Sequence, residues 1–191
     1  MAVRDSGLVP ETIETMDGVS YLSYSESVHA ETAPTEEISR NMGAVVIGYA
    51  GVNRLIEAQI ELTQEICDRH GGKFAPDRCV ENWAAFKATY PVNPFAMHAA
   101  LKNKAIKYVL DATVPLESTA DIVRSYHGLV DEYGVESCGI AASHCALDFH
   151  SVVYARTYVE ERNENDIEAI RKMEAEIYSC VRRLGGGIGG P

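Results

Sequence analysis

The apolar positions of this chain alternate between two spacings, and each change of spacing marks an element. GAVVIGYAG, 43–51, is short, β-branched and bounded by glycine, the pattern of a buried strand. From Val52 the period lengthens. Val52, Leu55, Ile56, Gln59, Thr63 and Ile66 fall on one helical face, and Gly71 and Gly72 stop it. KFAP, 73–76, suggests a short edge strand, and DRCVENWAAFKATYP, 77–91, a helix capped by Asp77 and ended by Pro91. AIKYVLDATVP, 105–115, reads as a strand closed by proline. LESTADIVRSYHGLVDEYG, 116–134, predicts a helix with Ser118 and Asp121 in a capping pattern. Its apolar face is Ile122, Val123, Tyr126, Leu129, Val130 and Tyr133, and Gly134 ends it. Two strands then flank AASHCALDFHSVVYARTY, 141–158. A last helix starts near Asn165, with Ile167, Ile170, Met173, Ile177, Val181 and Leu184 as its stripe.

The order β α β α β α β β α predicts an α+β fold: a ferredoxin-like, antiparallel-to-mixed sheet with helices packed on one face. This domain is expected to span 41–191. Residues 1–40 are polar, acidic and weakly periodic, and read as an N-terminal arm or linker that either stands apart or pairs with something in the fold, its only strand-like piece being GVSYLSY, 18–24.

A length of 191 residues and an apolar share of 46% suit a single soluble domain. No uninterrupted apolar run reaches ~18 residues, so no membrane span is expected. The start lacks the basic-then-apolar order of a signal peptide, which makes the cytoplasm the default location. A formal net charge of −11 disfavours nucleic acid as a partner, because a phosphate backbone needs a basic patch. The five cysteines form no C-x-x-C pair, which argues against a zinc ribbon or a disulfide framework. Cys67 and Cys180 fall on apolar helix faces and are expected to be small buried hydrophobes.

The chemistry concentrates in the hairpin. His144 and His150 bracket Asp148 within an otherwise apolar run. A turn centred on Leu147 would set His144 opposite His150, Ala142 opposite Val152, Ile140 opposite Tyr154 and Cys138 opposite Arg156, all on one face. Opposed residues stand ~4.5–5.5 Å apart at Cβ, close enough for two imidazoles to share a ligand. Arg156 would add a carboxylate fork and Tyr154 a hydroxyl donor, a set suited to binding a small hydroxy acid and taking its proton. The same spacing also fits solvated histidines and an outward-facing Tyr154 and Arg156. A longer loop would place the histidines on opposite faces. His70 and His127 read as helix-end and helix-surface residues, His98 as a loop residue, and Trp83 as core. GGGIGGP, 185–191, lacks the flanking strand, helix and lysine of a phosphate loop.

Taken in order, GAVVIGYAGVNRLIEAQIELTQEICDRHGGK, ENWAAFKATYP, YVLDATVPLESTADIV, the histidine hairpin and EIYSCVRRLGGGIGG resemble a known succession. It is that of the C-terminal substrate, or cap, domain of FAD-linked oxidases of the vanillyl-alcohol oxidase/p-cresol methylhydroxylase superfamily. D-lactate dehydrogenases and the glycolate oxidase FAD subunit are the nearest members, and the likeness covers about 43–190. The resemblance implies an FAD cofactor held mainly by a separate FAD-binding domain or subunit. It also implies a D-2-hydroxy acid substrate that gives a hydride to the flavin.

Many such members carry a hairpin His-x-Gly-Asp-Gly-Asn-x-His whose histidines hold a divalent metal or the substrate. HCALDFH is its counterpart here, with His144, Asp148 and His150 corresponding. The span is one residue shorter and lacks the glycines and asparagine. The Gly-Glu-His that supplies a further metal ligand is also missing, since Pro191 stands where the acid would fall. The resemblance therefore implies His144 and His150 as catalytic or metal-binding residues and Asp148 as a substrate contact, beside the Arg156 and Tyr154 contacts expected from the hairpin spacing. Ser143-His144 also resembles a Ser-His pair in the cap of alkyl-dihydroxyacetone-phosphate synthases, which makes that enzyme type an alternative. A non-catalytic binding module is the alternative from a different class.

Overall fold

The structure, a computed structural model, describes residues 2–20, 43–74, 104–144, 150–160 and 164–188. After a short helix α1 (Ala2–Asp5) come strand β1 (Thr12–Asp17), strand β2 (Gly43–Gly48) and helix α2 (Asn53–Arg69). Strand β3 (Lys104–Pro115) leads through a 3-10 turn (Leu116–Ser118) into helix α3 (Thr119–Tyr133). Strands β4 (Ser137–His144) and β5 (His150–Glu160), helix α4 (Glu164–Arg183) and a two-residue strand β6 (Gly187–Ile188) complete it. The strands form one open sheet in the order β2-β1-β4-β5-β3-β6, and every pair is antiparallel. This is the expected α+β architecture, antiparallel rather than mixed.

Helices α3 and α4 pack against one face of this sheet, and the core lies between them. Ile122, Tyr126, Leu129 and Val130 of α3 and Ile170, Met173, Ile177 and Val181 of α4 are buried against Val114, Ile140, Ala142, Val153 and Ala155. Both predicted helical stripes therefore face the sheet, with Val123, Tyr133 and Leu184 packed at the margin. Each fully buried side chain of this size contributes about 1.5–3 kcal/mol. Gly134 closes α3 at φ +62°, the left-handed conformation that glycine adopts without strain. Ser118 makes no side-chain capping bond, because the 3-10 turn already carries the chain into the helix. The Thr119 hydroxyl instead meets the buried Ser151 hydroxyl at 2.8 Å and ties the start of α3 to β5.

Four expectations are corrected. The first concerns the segment read as an arm. It supplies β1, which lies between β2 and β4 in the sheet. Gly18–Ser20, expected to open a strand, is helical instead, and 21–24 lie outside the described residues. The second concerns β2, which among the described residues ends the sheet and has Val45 57% exposed, rather than being buried. The third concerns α2, where only Thr63 and Ile66 of the predicted face are buried, while Val52 and Leu55 are exposed. The Tyr49 hydroxyl reaches Thr63 Oγ1 at 2.5 Å and satisfies that buried polar group. The fourth concerns Cys67 and Cys180, which are half-buried free thiols. Lys73 and Phe74 are not in a strand, and the expected helix 77–91 lies outside the described residues, as do Trp83 and His98.

Two irregularities shape the sheet. Between β3 and β5 the register shifts: Tyr108 pairs with Arg156 but Leu110 pairs with Ala155, leaving Val109 as an extra residue. Val109 and Leu110 are both fully buried. Between β4 and β5 the register shifts again from Ser137↔Thr157 to Ile140↔Ala155, at Gly139 with φ +91°.

Candidate functional site

Strand β5 divides its residues between two environments. Ser151, Val153, Ala155 and Thr157 point into the helix-covered core and are fully buried. His150, Val152, Tyr154, Arg156 and Tyr158 have the opposite parity and lie on the face that, among the described residues, is left uncovered by α3 and α4. On β3, Pro115 pairs with His150, Thr113 with Val152, and Asp111 with Tyr154. On β4, Ala141 pairs with Tyr154 and Ser143 with Val152. The uncovered face thus carries an imidazole, a phenol, a guanidinium and the exposed carboxylate of Asp111 in one shallow row. Tyr154 and Arg156 are half-buried and held by interactions within the fold, which lowers the entropy cost of presenting them.

The ladder places the two histidines differently from the Leu147-centred expectation. Ala142 pairs with Val153 and Ser143 with Val152, one residue away from the predicted Ala142–Val152 pair. With a side-chain period of two, positions 144 and 150 then have opposite parity. His144 pairs with Ile13 of β1, and His150 pairs with Pro115 of β3. Asp148 lies outside the described residues. Six residues separate His150 from Arg156. At about 3.3 Å per residue that is roughly 20 Å, too far for one small acid to touch both. Tyr154 and Arg156, about 7 Å apart on the same strand, can act together.

A second polar cluster lies on the covered side, where a cleft of about 550 Å³ opens between α3 and strands β1 and β4. Asp17, at the end of β1, accepts the backbone N–H of Ser20 at 2.7 Å and of Ile140 at 3.2 Å. His127 Nε2 lies 3.1 Å from Asp17 Oδ2. The contact is not aligned as a hydrogen bond, and His127 Nδ1 is buried without a partner among the described residues. Burial alone would push the Asp17 carboxyl up. The His127 imidazole and the N–H groups of Ser20 and Ile140 outweigh it and hold the carboxyl below its ordinary value. Gly139 completes the clasp, since a Cβ there would overlap the Ser20 backbone nitrogen and the Asp17 carboxylate. His127 is therefore a half-buried tertiary contact rather than the surface residue its position suggested, with 19% side-chain exposure. Neither Asp17 nor Asp111 stood out in the sequence. The available signal was Asp17 at the end of TIETMD, where a strand must hand over to a turn.

The model of the family "FAD linked oxidases, C-terminal domain" matches residues 1–190. The chain belongs to this family. The match takes in β1 as well as the later elements, in agreement with the place of β1 inside the sheet. This FAD-linked oxidase C-terminal domain is similar in fold to 4-ethylphenol oxidase from Gulosibacter chungangensis, solved with isoeugenol. The TM-score is 0.61 at 12% identity, over 93% of this chain and 38% of that one. It is also similar to alkyldihydroxyacetonephosphate synthase, with a TM-score of 0.63 at 16% identity, over 98% of this chain and 37% of that one. No curated protein sequence matches it. The chain spans little more than a third of the length of the solved structures it resembles.

FAD belongs to the whole enzyme of this family. On the β5 face opposite α3 and α4, Val152 is exposed and Tyr154 half-buried. The glycine run offers no cradle for phosphate. Gly187 pairs with Thr113, and a Cβ at Gly186 would meet the Thr113 carbonyl oxygen and the Val181 side chain. Among the described residues no group of three His, Cys, Asp or Glu side chains could hold a metal ion, and no helix is long and apolar enough to cross a membrane.

Proposed function

We propose that this domain is the substrate-side wall of an FAD-dependent oxidoreductase acting on a small D-2-hydroxy acid of the lactate or glycolate type. The uncovered face of β5 would turn toward a flavin held by the FAD-binding domain. The observation that carries this reading is the row His150, Tyr154, Arg156 on a sheet face left bare by α3 and α4. In this arrangement Arg156 forks the substrate carboxylate and the Tyr154 hydroxyl donates a hydrogen bond to it. When bound, FAD accepts the hydride. His150 lies at the far end of this row, roughly 20 Å along β5 from Arg156.

The bare face also supports a second reading, that of an alkyldihydroxyacetonephosphate-synthase-like flavoenzyme. Ser143-His144 stands in β4 next to β1, and the hairpin lacks the glycines of the lactate-type pattern. The deciding experiment uses the domain joined to its FAD-binding domain and follows flavin reduction by D-lactate, glycolate, a 4-alkylphenol and an alkyl-dihydroxyacetone phosphate. Reduction by a 2-hydroxy acid is expected. Arg156→Met is expected to raise its KM by about 10–100-fold, the loss of a charged hydrogen bond worth about 1.5–3 kcal/mol. Reduction only by the phenol or the alkyl-dihydroxyacetone phosphate, or an unchanged KM in Arg156→Met, would refute the first reading.

A further inference from the structure

We propose that Tyr126 is a positioning residue for the carboxylate grip: its hydroxyl fixes the backbone of Arg156 where the sheet ladder is interrupted, and so sets the direction in which the guanidinium leaves β5. This role rests on Arg156 being the substrate contact proposed above. Both strands that flank β5 depart from regular pairing at the same place. On the β3 side Tyr108 pairs with Arg156 and Leu110 with Ala155, so Val109 is extra. On the β4 side Ser137 pairs with Thr157 and Ile140 with Ala155, so residues 138 and 139 stand against Arg156 alone. Each irregularity sets two residues against one, disrupts the local ladder and bends the strand that carries it. The two meet at Arg156.

The Tyr126 hydroxyl enters this step from α3. It carries one hydrogen, which it donates to the Arg156 carbonyl oxygen at 2.9 Å. The contact with Ser137 Oγ at 2.7 Å then runs the other way, the serine hydroxyl donating to the phenol oxygen. Ser137 Oγ in turn accepts the Gly139 N–H at 2.8 Å. A directed chain results, from the Gly139 N–H through Ser137 and Tyr126 to the Arg156 carbonyl, and it links β4 to β5 across the irregular step. Each bond in such a chain strengthens the next. Both ends are firmly set. Tyr126 is fully buried in the core, and Gly139, at φ +91°, is enclosed by Ser20 and Asp17. Beyond the step the strands bond again, with the Tyr158 N–H donating to the Glu136 carbonyl at 2.8 Å. A rotation of the Arg156 backbone is magnified at the far end of its long side chain, and a guanidinium fork on a carboxylate depends on direction as well as distance.

Side-chain NMR relaxation on the full 191-residue chain tests the positioning directly. In wild type the Arg156 Nε–H should be nearly as ordered as rigid backbone, with an order parameter of about 0.8, and in Tyr126→Phe it should fall below about 0.6. Ile170→Val, which loosens the same core without touching the hydroxyl chain, should leave it unchanged. The kinetic counterpart uses the domain joined to its FAD-binding domain. Tyr126→Phe should raise the KM for the 2-hydroxy acid about 3–10-fold and change kcat less than about twofold, and it should add nothing further in an Arg156→Met background. Three results would overturn the proposal: an Arg156 side chain equally ordered with and without the Tyr126 hydroxyl, an equal loss of order in Ile170→Val, or KM effects of Tyr126→Phe and Arg156→Met that multiply independently. An unchanged KM in Arg156→Met would instead sink the substrate reading and this role with it, even where relaxation shows Tyr126 holding Arg156, so the two failures are told apart.

Discussion

The two faces of β5 belong to different environments, although neighbouring residues alternate between them. Val153 is fully buried, while Val152 is 43% exposed. The covered face meets α3 and α4, and its polar groups Ser151 and Tyr126 are tied into the packing. The bare face carries groups that a core excludes unless paired: a histidine, an arginine and, from β3, an aspartate. One strand therefore serves stability through one set of residues and chemistry through the other. The helices on the covered side also position the strand that bears Arg156. Fully buried Tyr126 donates its hydroxyl to the Arg156 carbonyl oxygen at 2.9 Å and meets Ser137 Oγ at 2.7 Å.

Matched substitutions at neighbouring positions give the sharpest test. Val153→Asp forces an unpaired charge among Ile122, Met173 and Ile177. It should cost more than about 4 kcal/mol, enough to abolish the folding transition in denaturant titration. Val152→Asp, one residue away, should stay within about 0.5 kcal/mol of wild type. Similar losses at both positions would show that the bare face is covered after all.

Next in size is Tyr126→Phe, which removes the hydroxyl's bonds to the Arg156 carbonyl and to Ser137 Oγ, the latter still accepting the Gly139 N–H. Chemical denaturation should show a loss of about 1–3 kcal/mol.

The smallest effect at neutral pH concerns Asp17 and appears as a pH slope. Its folded carboxyl lies below the ordinary value of 3.8, so its contribution is fully present above that value. The contribution is lost as pH falls from about 3.8 through the lower folded value, because the unfolded state takes up the proton first. Asp17→Asn should flatten that part of the stability–pH curve. An unchanged slope would mean that the Asp17 clasp contributes no linkage.

The covered face was the legible one. Ile122, Tyr126, Leu129 and Val130 and the stripe from Ile170 to Val181 repeat at the helical period because only one side of each helix is buried, and burial writes itself into spacing. Strand β1 was not legible. TIETMD holds two acids and two threonines, and its place in the sheet depends on distant partners: Ile140 and His127 for Asp17, and β4 for its backbone. The face of α2 misled, because Val52 and Leu55 keep a helical period yet remain exposed. The hairpin register missed by one residue. Alternation shows which residues share a strand face but not where the turn between two strands falls. The bare face was half legible: Tyr154 and Arg156 were named as a pair, but Asp111 joins them only through the β3–β5 ladder.

The extra residue in β3 has one further consequence. Alternation along a regular strand would send Val109 and Leu110 to opposite faces, yet both are fully buried, so the irregular step lets two neighbouring apolar side chains leave solvent together.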